Sequence, residues 1–562
     1  MRYCEHKRVC GRSALPGLNA CILHCEDPEK DKEKFEHALE EHLSEKGPTF
    51  REMVVPIALK YKGRNYNALD LTGAVFLEPV KFLDCTFEDQ VIGFNTTFKD
   101  GCAFNGSEFK RGARFRKTRF EDYLDFTGAV VHQESAFTYS AIRGKAKFSS
   151  STLHDANFGA RTFEGEADFG EVDFKGSRAY FGDTEFQEQV LFKGATFEGS
   201  VVFGGQFGGE AVFSSATFER SSTFADAEFT GPVSFSRSTF QKSVWFRGTC
   251  FEQEASFREV TFWNDCSFQD VKLEQASFEE IKVAEDLLFS DTFTSGNFEY
   301  ASFDDGHIEG SLTIQGKSED DRPFSGGVVS FQNVSQTPDA SIRFRYPDLR
   351  RCRFLNTDLR TIDFLGVEWC DELADRSALY GEWFSRVGLY DEVTPVPEQG
   401  ESSDRRPWPE IERLYRQLKL NYENRGDFPR AGDFHIGEKE ARRRNPETQW
   451  GPWLLLTAYR ALSKYGERAL PAFFWLTFVT LVSMTGYVFL EAIPGGETVP
   501  LSPENTTDWM QGLAISIETA FFPVRPAGFQ SAAPRLLNVA QRILSPPLIA
   551  LLALALRQRV KR

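Results

Sequence analysis

Phenylalanine recurs along the middle of the chain at steps that neither a helix nor a free strand uses. From Phe181 the series runs through Phe186, Phe192, Phe197, Phe203, Phe207, Phe213, Phe218, Phe224, Phe229, Phe235, Phe240, Phe246, Phe251, Phe257 and Phe262 to Phe268. Its steps alternate five and six residues, with one shortened to four. Two positions before a Phe sits a small or β-branched residue, as at Ala195, Ala211, Ala216, Ser222, Ala227, Val233, Ser238 and Ala255. An amphipathic helix repeats its apolar residues roughly every three or four positions and a strand roughly every two. A step of five or six fits a chain that turns a corner after each Phe. Every Phe and its small partner then return to one shared interior. Such repetition means stacked units, none able to bury its own apolar face alone. Phe224, Phe235 and Phe246 are expected to stack in one interior ladder.

Near the carboxyl end the pattern changes to long apolar runs. Residues 472–490 carry no charge, and with their flanks they reach the roughly 20 residues that a bilayer-spanning helix needs. A second run, 536–556, is interrupted by Asn538, Gln541, Arg542, Pro546 and Pro547. Its polar residues are expected to face protein or water rather than lipid. The predicted spans are 471–493 and 536–556. Between them DWMQGLAISIETAFF (508–522) reads as a helix too short to cross, and a Pro/Gly-rich turn follows at 523–528. Ahead of the spans, Ile411, Leu414, Tyr415, Leu418 and Tyr422 fall at helical spacing, and GDFPRAGDF opens a second helix toward Arg444. In 447–470, Leu455, Ala458, Tyr459, Leu462 and Ala469 are predicted on one helix face, with Arg460, Lys464 and Arg468 facing away. Such a helix suits the membrane interface. Basic residues flank the outer ends of both spans and acidic ones fill the loop between them. The asymmetry predicts a plasma-membrane hairpin with both termini cytoplasmic.

Charge narrows the classes of partner. The formal net charge is −17, and residues 71–313 hold 39 acidic against 22 basic side chains. That field repels phosphates, so no nucleic-acid partner is expected. The basic run Lys110, Arg111, Arg114, Arg116, Lys117 and Arg119 reads as a solvated face. Of ten cysteines, Cys85, Cys102, Cys266 and Cys352 occupy the small slot and act as buried hydrophobes. Cys4, Cys10, Cys21, His24 and Cys25 instead crowd the first 25 residues. Soft ligands in two pairs around a Gly/Pro loop suit structural, tetrahedral zinc, and a segment too short for a core would draw its folding energy from the metal. Cys4, Cys10, Cys21 and His24 are the assigned ligands; Cys25 competes for the last place and His6 is a weaker alternative.

The small-x-Phe-x-x pattern resembles the pentapeptide-repeat family. The resemblance implies a right-handed quadrilateral β-helix over 71–313, resuming at Leu349, Phe354, Leu359, Phe364 and Trp369. The cysteine segment resembles zinc knuckles that precede some of these proteins. The YRQLKLNYENRGDFPRAGDFHIGEKEARRR stretch resembles a helical hairpin of related chains. SKYGERALPAF and ILSPPLIALLALALRQRVKR resemble the two ends of a two-span pore-loop domain that closes some bacterial members. PVRPAG stands where a potassium filter would carry its glycines, so carbonyl-based potassium selectivity is not implied. The resulting organisation is a knuckle (1–27), a helical or irregular cap (28–70), the solenoid (71–313), an irregular insertion (314–345), resumed coils (346–370), a helical linker (371–446), an interfacial helix (447–470) and a two-span α-helical domain (471–562). The fold class is mainly β.

Function classes follow. No metalloprotease, phosphate-cradling or nucleophile-elbow motif is present, so enzyme activity is not expected. The membrane segment argues against a soluble gyrase-directed DNA mimic. The leading expectation is an oligomeric ion channel or pore with a cytoplasmic solenoid as sensor. The channel resemblance implies a tetramer, with Glu518, Arg525, Asn538 and Arg542 as pore-lining candidates. The alternative is a membrane-anchored scaffold whose solenoid binds a cytoplasmic protein.

Overall fold

The computed structural model describes residues 3–5, 10, 12–159, 162–293, 298–316, 322–371, 386–393, 406–492, 501–522, 529 and 531–560, the last three by backbone alone. The chain packs as two units, Met1–Cys352 with Ile362–Glu368, and Arg353–Thr361 with Trp369–Arg562.

The first unit is a parallel β-solenoid of about 14 turns. Four short strands make one turn. Ala211–Val212, Thr217–Phe218, Ser222–Thr223 and Ala227–Phe229 precede Val233–Ser234, which pairs in parallel with Ala211–Val212. Two steps of five and two of six bring Val233 beside Ala211 after 22 residues, whereas the step of four brings Ser222 beside Val201 after 21. The alternation is therefore the perimeter of one coil. Successive Phe residues at the same corner pair in register and stack, Phe218 on Phe240 at 4.5 Å and Phe240 on Phe262 at 5.5 Å. Each is almost wholly buried, and such burial stabilises by about 1.5–3 kcal/mol per side chain. The small slots beside them, Ala195, Ala211 and Ala216 among others, are buried too, as are Cys85, Cys102, Cys266 and Cys352.

One expected ladder is in fact two. Phe224 and Phe246 stack at 5.0 Å with planes 10° apart, but Phe235 belongs to the series Phe213–Phe235–Phe257. It meets Phe224 edge to face, 5.1 Å away at 89°. Eleven residues are half a 22-residue turn, so Phe235 enters the interior from the opposite side. Within the five-residue steps the corner passes through a left-handed residue two places after the Phe: Ser215, Asp226, Arg237 and Glu259 have φ between 56° and 61°. At Gly248 (φ 69°) a Cβ would stand 2.4 Å from Asp226 Oδ1, which explains the glycine there.

The solenoid is longer than the Phe beat alone predicts. Val54–Val55, Leu59–Lys62, Asn65–Tyr66 and Leu69–Asp70 form a first coil paired to the next. Residues 50–70 thus belong to the stack rather than to an irregular cap. The irregular insertion placed at 314–345 is a further correction. Val328–Ser330, Ser335–Gln336 and Ser341–Arg345 continue the pairing, and only 317–321 lies outside the described residues. Val329, Ile342 and Phe344 fill the interior there, so shape persists where the Phe spacing lapses. Phe364 then stacks on Phe344 at 5.6 Å. The basic run is exposed or half-exposed, with Arg114 2.6 Å from Glu134 and Arg116 over the Tyr139 ring, as a solvated face should be.

Helix α1 (Lys32–Lys46) starts at Asp31, whose side chain accepts from the Lys34 amide, and it buries Phe35 and Leu39. The other helices belong to the second unit: α2 (Tyr390–Val393), α3 (Trp408–Asn424), α4 (Phe428–Arg444), α5 (Trp450–Ser463), α6 (Ala469–Phe489), α7 (Thr506–Phe521) and α8 (Ala532–Val560). Helices α3 and α4 form the expected hairpin. Ile411, Leu414, Tyr415, Leu418 and Tyr422 are buried, and Gly437 lets the Tyr415 ring approach to where a Cβ would sit 2.5 Å away.

Helix α5 and the turn after it direct their basic residues at carboxylates of α4. Arg460 Nε lies 2.9 Å from Glu440 of α4, Arg468 reaches Asp433 at 2.8 Å, and Lys464 is buried. Trp450, Trp453, Leu454 and Leu455 point outward instead. The carboxylate partners of Arg460 and Arg468 come from another helix, which the pattern of α5 could not reveal by itself.

Candidate functional site

Two places gather chemistry. The first is amino-terminal. A bridge between Tyr3 and Ser13, and the bond from the Cys4 amide to the Arg12 carbonyl, fold the segment back on itself. A one-turn reversal, with the amides of His24 and Cys25 on the Cys21 carbonyl, follows. The ligand atoms of Cys4, Cys10, Cys21 and His24 thereby lie within 4.8 Å of one another, all buried. Cys10 Sγ is 3.3 Å from Cys21 Sγ, and Cys21 Sγ is 3.2 Å from His24 Nδ1.

The other ring nitrogen of His24 lies 3.2 Å from the Arg51 carbonyl. A proton on Nε2 donated to that oxygen leaves Nδ1 as the free lone pair, the arrangement common in metal-bound histidines. Between the sulfurs a shared proton divides the thiols. The bond from Cys21 holds Cys10 down to about 7, while Cys21, donor in that bond and buried, is pushed up to about 11. Four buried soft donors around one point fit a divalent, thiophilic metal. Cys25 is buried but outside this group, and its carbonyl takes Lys30 Nζ at 2.8 Å. His6 lies outside the described residues. Arg51 contributes only a carbonyl, and a backbone oxygen leaves no signature in the sequence.

The second place is the packing of α6, α7 and α8. Two helices, Ala469–Phe489 and Ala532–Arg557, are long and apolar enough to cross a membrane. Helix α8 runs through Pro546 and Pro547 without a break. Helix α7 has 16 residues, about 24 Å at 1.5 Å per residue, less than a hydrocarbon core of about 30 Å. It begins on the Asn505 side chain, which accepts from the Thr507 amide. Gly512 brings it against α6, where a Cβ would meet Val488 at 3.0 Å; small residues serve such approaches in membranes.

A polar network closes among the three helices. Gln541 Nε2 donates to the Ser516 carbonyl and hydroxyl at 2.9 and 2.8 Å, and Tyr487 donates to Gln541 Oε1 at 3.2 Å. Asn538 donates to Tyr487 at 3.1 Å and Thr519 at 2.9 Å, while Ser516 donates to the Thr480 carbonyl. Of the pore-lining candidates, Asn538 is thus turned into helix packing within one chain. Glu518 is exposed and Arg542 half-buried; Arg525 lies outside the described residues. To Asn538 and Gln541 the structure adds Tyr487, Ser516 and Thr519. Their signal was the i, i+3 spacing of Ser516 with Thr519 and of Asn538 with Gln541, which puts each pair on one helix face.

Comparison with known proteins bears on the solenoid. Residues 206–249 and 235–282 match the family model described as pentapeptide repeats (9 copies). The parallel, Phe-cored solenoid thus carries repeats of that family. No curated protein and no solved structure matches the chain.

Proposed function

We propose that the chain is the subunit of a membrane-embedded oligomeric channel or pore, with its pentapeptide-repeat solenoid as the sensing or gating part. The single observation that carries this reading is α7. A helix too short to cross the hydrocarbon core, packed between two helices long enough to do so, is superfluous in an anchor and is what a re-entrant pore segment requires. Two spans cannot enclose water, so several copies around an axis, four by resemblance, are part of the proposal. Both termini then lie in the cytoplasm. In this proposal Arg525, which follows α7 in the sequence, supplies a ring of guanidinium groups at the narrow part, with Glu518 seven residues earlier.

Purified protein in liposomes is expected to pass ions, and Arg525→Glu to shift the reversal potential in a salt gradient toward cation permeation. Absence of flux in every oligomer favours the second reading, a membrane-anchored protein-binding scaffold. One observation favours that alternative: the network around Gln541 and Asn538 is satisfied inside one chain.

The metal in the reading is zinc, held by Cys4, Cys10, Cys21 and His24; it supplies folding energy there and no catalysis. Elemental analysis is expected to find about one zinc per chain, as four ligands fill a tetrahedral structural site. Cys10→Ser/Cys21→Ser is expected to lose it, and an unchanged zinc content in that variant rejects the site.

A further inference from the structure

The metal-ligand group sits where the solenoid begins. Leu23, wholly buried between Cys21 and Cys25, accepts the amide of Val54 at 3.2 Å. Val54 opens the first solenoid strand, Val54–Val55, whose partner strand among the described residues is Val75–Phe76 on its inner side. The carbonyl of Arg51, three residues earlier, faces His24 Nε2. The segment therefore covers an edge that would otherwise present open backbone groups. A second edge of the same coil is closed by the chain itself, through the bridge of Thr49 to Asp70.

Helix α1 is tied to the same segment. Lys46 Nζ donates to the Cys10 carbonyl at 3.2 Å, Arg12 reaches Glu41 at 2.9 Å, and Lys30 Nζ donates to the Cys25 carbonyl while lying 4.7 Å over the Phe35 ring. Each of these bonds depends on the backbone path of residues 10–25, and the four ligands are what would fix that path.

We infer that the Cys4, Cys10, Cys21 and His24 group is the amino-terminal cap of the solenoid, so that metal occupancy decides whether the first coil, residues 50–70, stays wound. The inference rests on the zinc reading above. Each coil of a solenoid contacts only its neighbours, so the loss stays local. Phe82 stacks on Phe104, and Phe104 packs tilted against Phe126 at 5.0 Å, without help from the cap.

The test is hydrogen exchange on the full-length protein in detergent, followed by mass spectrometry, with metal content measured on the same samples. Zinc removal by a chelator is expected to speed exchange in peptides covering 50–70 by at least tenfold. Peptides covering 211–262 are expected to stay unchanged, and added Zn2+ to restore protection. Cys21→Ser should show the fast exchange without chelator and resist rescue. If zinc leaves and 50–70 keeps its protection, the cap is overturned; so it is if 211–262 accelerates equally. A protein that holds no zinc before or after its addition overturns the zinc reading itself.

Discussion

Phe224→Ala is expected to destabilise the solenoid by about 3–5 kcal/mol, the range for removing a fully buried aromatic ring from a packed core. Phe224 stacks between Phe203 and Phe246 at 5.0 Å on either side and meets Phe213 and Phe235 edge-on at 5.5 and 5.1 Å. The cavity would open onto these rings and that of Phe218, 6.1 Å away, all held in place by backbone pairing, so collapse cannot fill it. Arg237→Ala is the control. Arg237 is exposed, and its two bonds to Glu259 lie in solvent, where such pairs contribute little. Chemical denaturation, with hydrogen exchange to localise the loss to neighbouring coils, measures both. Phe224→Ala/Phe246→Ala should be non-additive because the two rings touch, whereas Phe224→Ala/Phe98→Ala should add. Equal losses at Phe224 and Arg237 would reject the assignment of inside and outside.

The solenoid was legible because its interior demands one bulky residue per side, and Phe met that demand often enough to print the perimeter of a coil as alternating steps. The same demand is met silently wherever Val, Ile or Leu serves. Hence Phe50 to Asp70 and the coil through Val329 and Ile342 escaped a reading based on Phe. Spacing alone also could not say which corners face each other; that needs the turn length, after which Phe224 and Phe235 fall on opposite sides.

The metal group was equally visible, since four thiol and imidazole side chains in a core-less segment have few other uses. Its position on the coil edge was not, because Leu23 and Arg51 act through carbonyls that every residue has. The long apolar helices show the reverse case. Asn538 and Gln541 were conspicuous in an apolar run, yet polarity in a span has two outlets, water or another helix. Only the positions of Ser516, Thr519 and Tyr487 choose between them. The partners of Arg460 and Arg468 were hidden for a related reason: Glu440 and Asp433 come from α4, a helix that the local pattern of α5 cannot contain.

Glu392→Ala is expected to cost about 3–5 kcal/mol of local stability in the helical hairpin, because it strands a buried guanidinium. Glu392 is wholly buried on α2 and takes Arg386 through both carboxylate oxygens at 2.6 Å, the Tyr415 hydroxyl at 2.5 Å and Arg444 at 3.1 Å. Arg386 is itself 7% exposed, so removing the carboxylate leaves its buried charge with the Tyr415 hydroxyl and ring in place of a counter-charge. The double change Arg386→Met/Glu392→Leu should recover most of the loss, since an apolar replacement of both partners removes the stranded charge together with its desolvation cost. Limited proteolysis and hydrogen exchange across α3 and α4 read the effect. The consequence reaches the apolar helices of the same unit. Arg444 bridges Glu392 and Glu440, and Glu440 also takes the Tyr465 hydroxyl at 3.0 Å in the turn before α6. Lys464, Tyr465 and Gly466 are all left-handed in that turn, a costly run that only over-determined packing sustains. Exchange at 463–468 should therefore rise in Glu392→Ala and return in the double variant. A rise confined to α2 would separate the hairpin's ion cluster from the turn that leads into α6.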